Sequence, residues 1–142
     1  MESKTPETEL NDLMSESEVE EYIEKWCGGE IALHSAVRTL IAEKEISLAD
    51  LMKDSRINRN YGYNIVNGRR KNPSRDKVLA ISIAAKLTVR ETQEMLLIAG
   101  VGGLYFRRER DVRIAACLNN KVGDVLKVNI MLESKGLEPL DV

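Results

Sequence analysis

Residues 78–85 read Val-Leu-Ala-Ile-Ser-Ile-Ala-Ala, and a helix carrying that segment is apolar on nearly every side. Such a helix has no broad face to give to water, so it belongs at the centre, with other elements packed around it. Pro73 and Ser74 mark its start, and the expected helix runs to about Leu87. The rest of the chain must therefore supply the elements that surround it.

Those elements also read as helices. From Leu33 the apolar positions 33, 36, 37, 40 and 41 follow three-and-four spacing. Ser47 opens a short second helix with Leu48, Ala49, Leu51 and Met52 as its apolar content and Asp50 as a weak capping-box partner. After a break near Ser55 and Arg56, Asn58 caps a third helix that ends near Asn67 and Gly68. The central helix is the fourth. Thr88 with Glu91 is a capping box for a fifth, which Gly100 ends. Two more are expected at about 108 to 119 and 124 to 135, ended by Gly136 and Pro139. Upstream, Ser15 caps a helix from about Glu16 to Trp26, with Val19, Tyr22, Ile23 and Trp26 on one stripe and a stop at Gly28 and Gly29. Residues 1 to 14 are polar and without a clean period, and are expected to be a disordered acidic arm.

No strand-like alternation competes, so the expected class is all-α. A length of 142 residues is one domain's worth, enough for a core without staples. Cys27 and Cys117 are isolated thiols, expected as small buried hydrophobes, and form neither a disulfide framework nor a zinc set. His34, the single histidine, is expected at a surface or boundary, without the partners of a triad or metal site. No metal or cofactor is implied, and no enzyme. The stretch Ala-Gly-Val-Gly-Gly-Leu-Tyr-Phe-Arg-Arg-Glu-Arg from Ala99 lacks the Gly-Lys-Ser/Thr ending of a triphosphate loop, and no strand precedes it. It reads as a helix stop and a turn, with Leu104, Tyr105 and Phe106 as a plug onto the main domain. No apolar run approaches the ~20 residues that span a bilayer, and the first residues are polar and acidic, so a cytoplasmic location is expected.

The charge is unevenly placed. Residues 1 to 30 hold ten acids and two bases, whereas residues 53 to 77 hold eight bases and two acids, a local balance of +6 within a net charge of −2. Screening confines the field of a distant acidic segment to roughly 8 to 10 Å, so such a patch can still bind a polyanion.

The patch coincides with the second and third helices of the core series, which a turn at Asp54-Ser55-Arg56-Ile57-Asn58 joins. Two short helices so joined can place the second in a DNA major groove. Leu51, Ile57 and Ile65 can lock the pair, while Arg59, Asn60, Tyr63, Asn64 and Asn67 supply an outward face of hydrogen-bonding groups.

With Ser47, Ala49, Asp50, Leu51, Ile57, Asn58, Ile65 and Gly68 in these places, residues 33 to 100 resemble the lambda-repressor-like (Xre-type) helix-turn-helix proteins. The resemblance implies a five-helix DNA-binding domain at 31–100, here with an added N-terminal acidic helix at 15–30 and a C-terminal helical pair within 101–142 as a possible dimerisation element. It implies a small bacterial or phage-type transcriptional regulator that binds double-stranded DNA as a homodimer. Asn60, Asn64 and Arg59 would read bases together with Tyr63 and Asn67. Asn58, Arg69, Arg70, Lys71, Ser74, Arg75 and Lys77 would meet phosphates. A regulatory protein partner docking on the acidic segment or the last helices would take the place of a sensor domain. The alternative is an adaptor or antitoxin-like partner that keeps the scaffold and binds protein.

Four positions depart from the family. Arg56 stands where glycine is usual in the turn, and Leu48 where a polar phosphate anchor is usual. Met52 and Gly62 reverse the usual alanine and isoleucine or valine at two touching positions, an exchange that conserves volume if Met52 fills the space that Gly62 leaves. Tyr61 and Tyr63 are left open, one to cover the core and the other to stack or hydrogen-bond at DNA.

Overall fold

The computed structural model describes residues 6–27 and 32–142, and all regular structure among them is helical. The expected stop at Gly28 and Gly29 lies outside the described residues. The chain divides into two compact units, residues 1–31 and 32–142.

In the first unit, α1 (Pro6–Leu10) precedes α2 (Glu16–Trp26). Ser15 and Glu18 form the reciprocal box that opens α2. The first segment is not a structureless arm from Pro6 onward. The Tyr22 hydroxyl donates to the Pro6 carbonyl at 3.0 Å and Lys25 pairs with Glu9, which fastens α1 to α2.

The second unit contains α3 (Leu33–Glu43), α4 (Leu48–Ser55), α5 (Arg59–Val66), α6 (Arg75–Ala84), α7 (Val89–Ile98), α8 (Glu109–Asn119) and α9 (Val125–Ser134). Its centre is α6, which packs against α4, α7 and α9; every residue from Val78 to Ala85 is buried. The one hydroxyl in that run, Ser82, is satisfied by donating to the Val78 carbonyl.

Helix starts follow the caps that the sequence offers. Ser47, Asn58, Ser74 and Thr88 each accept backbone N–H bonds at the head of α4, α5, α6 and α7, and Glu91 completes the box at Thr88. Helix ends are less obedient. Instead of running to Leu87, α6 stops at Ala84, because Lys86 turns left-handed (φ 55°) and the N–H groups of Lys86 and Leu87 bond back to Ile83 and Ser82. Burial of Leu87 against the core secures that reversal. Glu45 and Lys121 end α3 and α8 in the same way, without the glycine that marks such a position elsewhere in the chain at Gly100 and Gly136.

The C-terminal helices close the core of the same unit. Ile114 and Leu118 of α8 and Val125, Val128 and Leu132 of α9 join the cluster around Leu79, Ile83 and Leu96. They leave Val112, Leu126 and Ile130 exposed. Of the three expected plug residues in the loop between α7 and α8 only Leu104 is buried, its N–H and carbonyl both held by the Gln93 amide; Tyr105 and Phe106 are more than half exposed. Cys27 is exposed, against expectation, while Cys117 is half-buried and burial pushes its thiol up.

Candidate nucleic-acid interface

The pair α4 and α5 packs as the hydrophobic pattern requires, with Leu51, Ile57 and Ile65 buried between it and the rest of the unit. The joining residue Arg56 is left-handed, φ 61° and ψ 11°, although it carries a side chain. Its guanidinium explains how the turn is held: Nε and Nη2 donate to Asp124 Oδ1 and Oδ2 at 3.1 and 3.0 Å. Asp124 is also the cap of α9, accepting from the Leu126 N–H. One carboxylate thus ties the turn of the helix pair to the last helix.

The Arg56 guanidinium beside Asp124 holds that carboxyl below its ordinary value; partial burial opposes the shift and the Leu126 N–H reinforces it. A depressed folded value means that the stabilisation is complete above the unfolded value of about 4 and is lost as pH falls through the folded value. Asp124→Asn keeps a capping oxygen and should therefore flatten the acid limb of a stability curve below about pH 4. Asp124→Ala should in addition cost about 1 kcal/mol at neutral pH from the lost cap. Urea unfolding across that range checks both, and an unaltered acid limb in Asp124→Asn would show that the pair adds no stability.

Gly62 lies on the buried side of α5, and a Cβ built there would stand 2.5 Å from Met52 Sδ. The thioether occupies the place that a larger residue at 62 would take. Of the side chains expected to read bases, Arg59, Asn60 and Asn67 are exposed, and Tyr63 and Asn64 are half-buried. The Arg59 guanidinium rests 5.6 Å from the centroid of the Tyr63 ring, one helical turn away. Asn58 spends its amide oxygen on the N–H groups of Asn60 and Tyr61, which leaves its NH2 to donate outward.

The loop after α5 is shaped by its own side chains. The Asn67 amide oxygen accepts from the Arg69 N–H, and the Arg70 N–H donates to the Asn64 carbonyl. Gly68 has φ +83°, and a Cβ there would meet the His34 ring at 2.9 Å, so this turn needs glycine twice over. Half-buried His34 sits at the boundary as expected, directly under the loop. Arg69, Arg70, Lys71 and Ser74 are exposed, and Lys77 is half-buried. Tyr61 lies among these cations, with the Arg70 guanidinium 4.6 Å and the Lys77 ammonium 4.9 Å from its ring centroid.

Arg75 is the exception among the expected phosphate ligands. It turns into the protein, donating from Nε to the Gly102 carbonyl and from Nη2 to the Gly103 carbonyl and Asp111 Oδ2, all within 2.9 Å. A guanidinium so engaged has no fork left for a phosphate. The sequence gives no sign of this, because Asp111 lies 36 positions away.

No acidic residue occurs between Asp54 and Asp76. Asp76 is itself neutralised by the two-pronged contact of Arg110 at 3.2 Å. Among the described residues, none of Arg59, Arg69, Arg70, Lys71 and Lys77 pairs with a carboxylate. What faces outward from α5 and the following loop is therefore a set of amides bordered by five uncompensated cations. Among the same residues no cluster of metal-binding side chains occurs, and no helix is long and apolar enough to cross a membrane. No family model, no curated protein and no solved structure matches the chain.

Proposed function

We propose that the protein is a sequence-specific double-stranded DNA-binding regulator of transcription, of the lambda-repressor-like (Xre-type) kind, acting in the cytoplasm of a bacterial cell. The outward amide face of α5, bordered by cations that pair with no carboxylate among the described residues, carries the reading. In this mechanism α5 enters the major groove, where Asn60 and Asn64 pair with adenine edges and Arg59 with guanine. Arg69, Arg70, Lys71 and Lys77 hold phosphates and set the register. Arg75 is left out, since three of its five N–H donors, both edges of the fork among them, already hold the Gly102 and Gly103 carbonyls and Asp111. A homodimer would set two such helices on paired half-sites, and occupancy would then obstruct or recruit polymerase.

Selection from random duplexes, run in parallel with wild type and with an Asn60→Ala, Asn64→Ala variant, tests this. A palindromic consensus from wild type that blurs in the variant is the expected result; each lost pairing should relax discrimination by about 1 to 3 kcal/mol at its base. Enrichment of the same motif by both proteins would remove α5 from the reading role.

A second reading, a protein-binding adaptor or antitoxin-like partner, is favoured by Leu48, which packs against the core where a phosphate anchor would stand, and by the exposed Leu126 and Ile130 of α9. Salt separates the two. A DNA regulator loses affinity with a log–log slope near −0.9 per phosphate neutralised, whereas an adaptor ignores DNA.

A further inference from the structure

Two cations reach one aromatic ring from different parts of the chain. Arg70 comes from the loop after α5 and Lys77 from the first turns of α6, and both charges lie within 5 Å of the Tyr61 centroid. They are consequently held less than 10 Å apart, close enough to repel, and neither pairs with a carboxylate among the described residues. The negative face of an aromatic ring offsets that repulsion without neutralising either charge. Tyr61 itself is half-buried and packed against the core, so the platform is fixed by the fold rather than by the cations.

We propose that Tyr61 is a positioning residue for the DNA backbone, holding Arg70 and Lys77 together as a single two-charge clamp for neighbouring phosphates of one strand. This rests on the DNA-binding reading and adds a residue to which that reading gave no role. A carboxylate partner would position the same cations but cancel their field. The ring positions them and leaves it intact. Because phosphate contacts carry no sequence information, the clamp contributes to affinity and register, not to base preference.

The test uses the full chain and three variants: Tyr61→Phe, which keeps the ring, Tyr61→Leu, which keeps apolar cover over the core, and Arg70→Ala with Lys77→Ala. Binding to a mixed-sequence duplex is measured between roughly 50 and 200 mM salt. Tyr61→Phe should match wild type. Tyr61→Leu, shown folded by circular dichroism, should bind roughly tenfold more weakly at low salt, with a salt slope shallower by about one to two units. Adding Tyr61→Leu to the Arg70→Ala, Lys77→Ala protein should change nothing further, which a purely structural role for the ring would not produce. A folded Tyr61→Leu with wild-type slope and affinity would overturn the clamp, and so would a Tyr61→Phe as weak as Tyr61→Leu, since the ring would then not be the active feature. Failure of the DNA reading itself looks different: wild type would not bind duplex at all. In that case elution of the same proteins from heparin, a polyanion without sequence, decides the matter. Earlier elution of Tyr61→Leu than of Tyr61→Phe supports the clamp, and co-elution overturns it.

Discussion

Met52→Ala should cost roughly 2 to 5 kcal/mol of unfolding free energy and Gly62→Ile about 1 to 3, yet the double substitution should cost at least about 1 kcal/mol less than the two together. The cause is a shared volume. Met52 is 6% exposed, and its sulfur stands 2.5 Å from where the first side-chain atom of residue 62 would begin, with Ile57 Cγ2 at 3.8 Å on the other flank. Alanine at 52 vacates that volume and leaves a cavity between α4 and α5. Isoleucine at 62 overfills it and must drive the thioether aside. Made together, the vacated space receives the new side chain, and the helix regains part of the roughly 1 kcal/mol that glycine costs in its interior. Urea titrations with a common m-value read the coupling directly. Strict additivity would mean that Met52 swings clear of residue 62 without penalty and that the two positions are unrelated. If α5 is the DNA-reading helix proposed above, the variant with restored volume should recover DNA affinity along with stability.

That exchange was legible in the sequence because it lies within one short motif, where periodicity fixes which residues face each other. The same holds for the caps at Ser47, Asn58, Ser74 and Thr88, each a local hydrogen bond between a side chain and the backbone two or three residues on. The central position of α6 was legible for a related reason, since a segment without a polar face leaves no other place for itself. Helix ends were less so. Glu45, Lys86 and Lys121 adopt the left-handed turn although nothing in their chemistry favours it, and each is followed by an apolar residue packed on the core, Leu87 fully buried and Ile46 and Val122 partly so, a tertiary cause.

In the candidate site the division runs along the same line. The outward stripe of α5 and the basic loop follow from spacing and composition. The partners of the arginines do not: Arg56 finds Asp124 across 68 positions, and Arg75 finds the carbonyls of Gly102 and Gly103. An arginine in a basic run looks the same in sequence whether it faces solvent or crosses the core. Asp124 caps α9 through the Leu126 N–H, a contact within its own stretch of chain. Its grip on the turn between α4 and α5 depends on how α9 packs against α4, which no local pattern encodes. Tyr61 was left open between two roles because the cations on its ring come from a loop and a second helix.

Arg75 separates most sharply the arginine that holds the protein together from one that would serve the proposed DNA contact. Asp111 is fully buried; its Oδ2 accepts from Arg75 Nη2 and from the Tyr105 N–H, both at 2.8 Å, while its Oδ1 has no hydrogen-bond partner among the described residues. Removing the arginine leaves a carboxylate in the core with half of its acceptors already unmet, and Arg75→Ala should cost about 3 to 5 kcal/mol. Removing the carboxylate is gentler. The Arg75 side chain is 23% exposed and keeps its two carbonyl acceptors, so water can take up the freed donor, and Asp111→Ala should cost about 2 to 3 kcal/mol. Asp111→Asn should cost about as much, since its amide oxygen can still accept from Arg75 and Tyr105 but its NH2 would be buried where Oδ1 has no partner. The predicted order is therefore Arg75→Ala worst, with Asp111→Ala and Asp111→Asn alike behind it, read from urea unfolding at neutral pH. A phosphate ligand at position 75 gives the opposite pattern: little loss of stability in Arg75→Ala and a salt slope of DNA binding shallower by about 0.9. In the arrangement described, Arg75→Lys is also damaging, because a single ammonium cannot reach two carbonyls and a carboxylate from the α6 terminus as the planar fork does. A fully stable Arg75→Lys protein would show that charge alone, and not the fork, is what Asp111 requires.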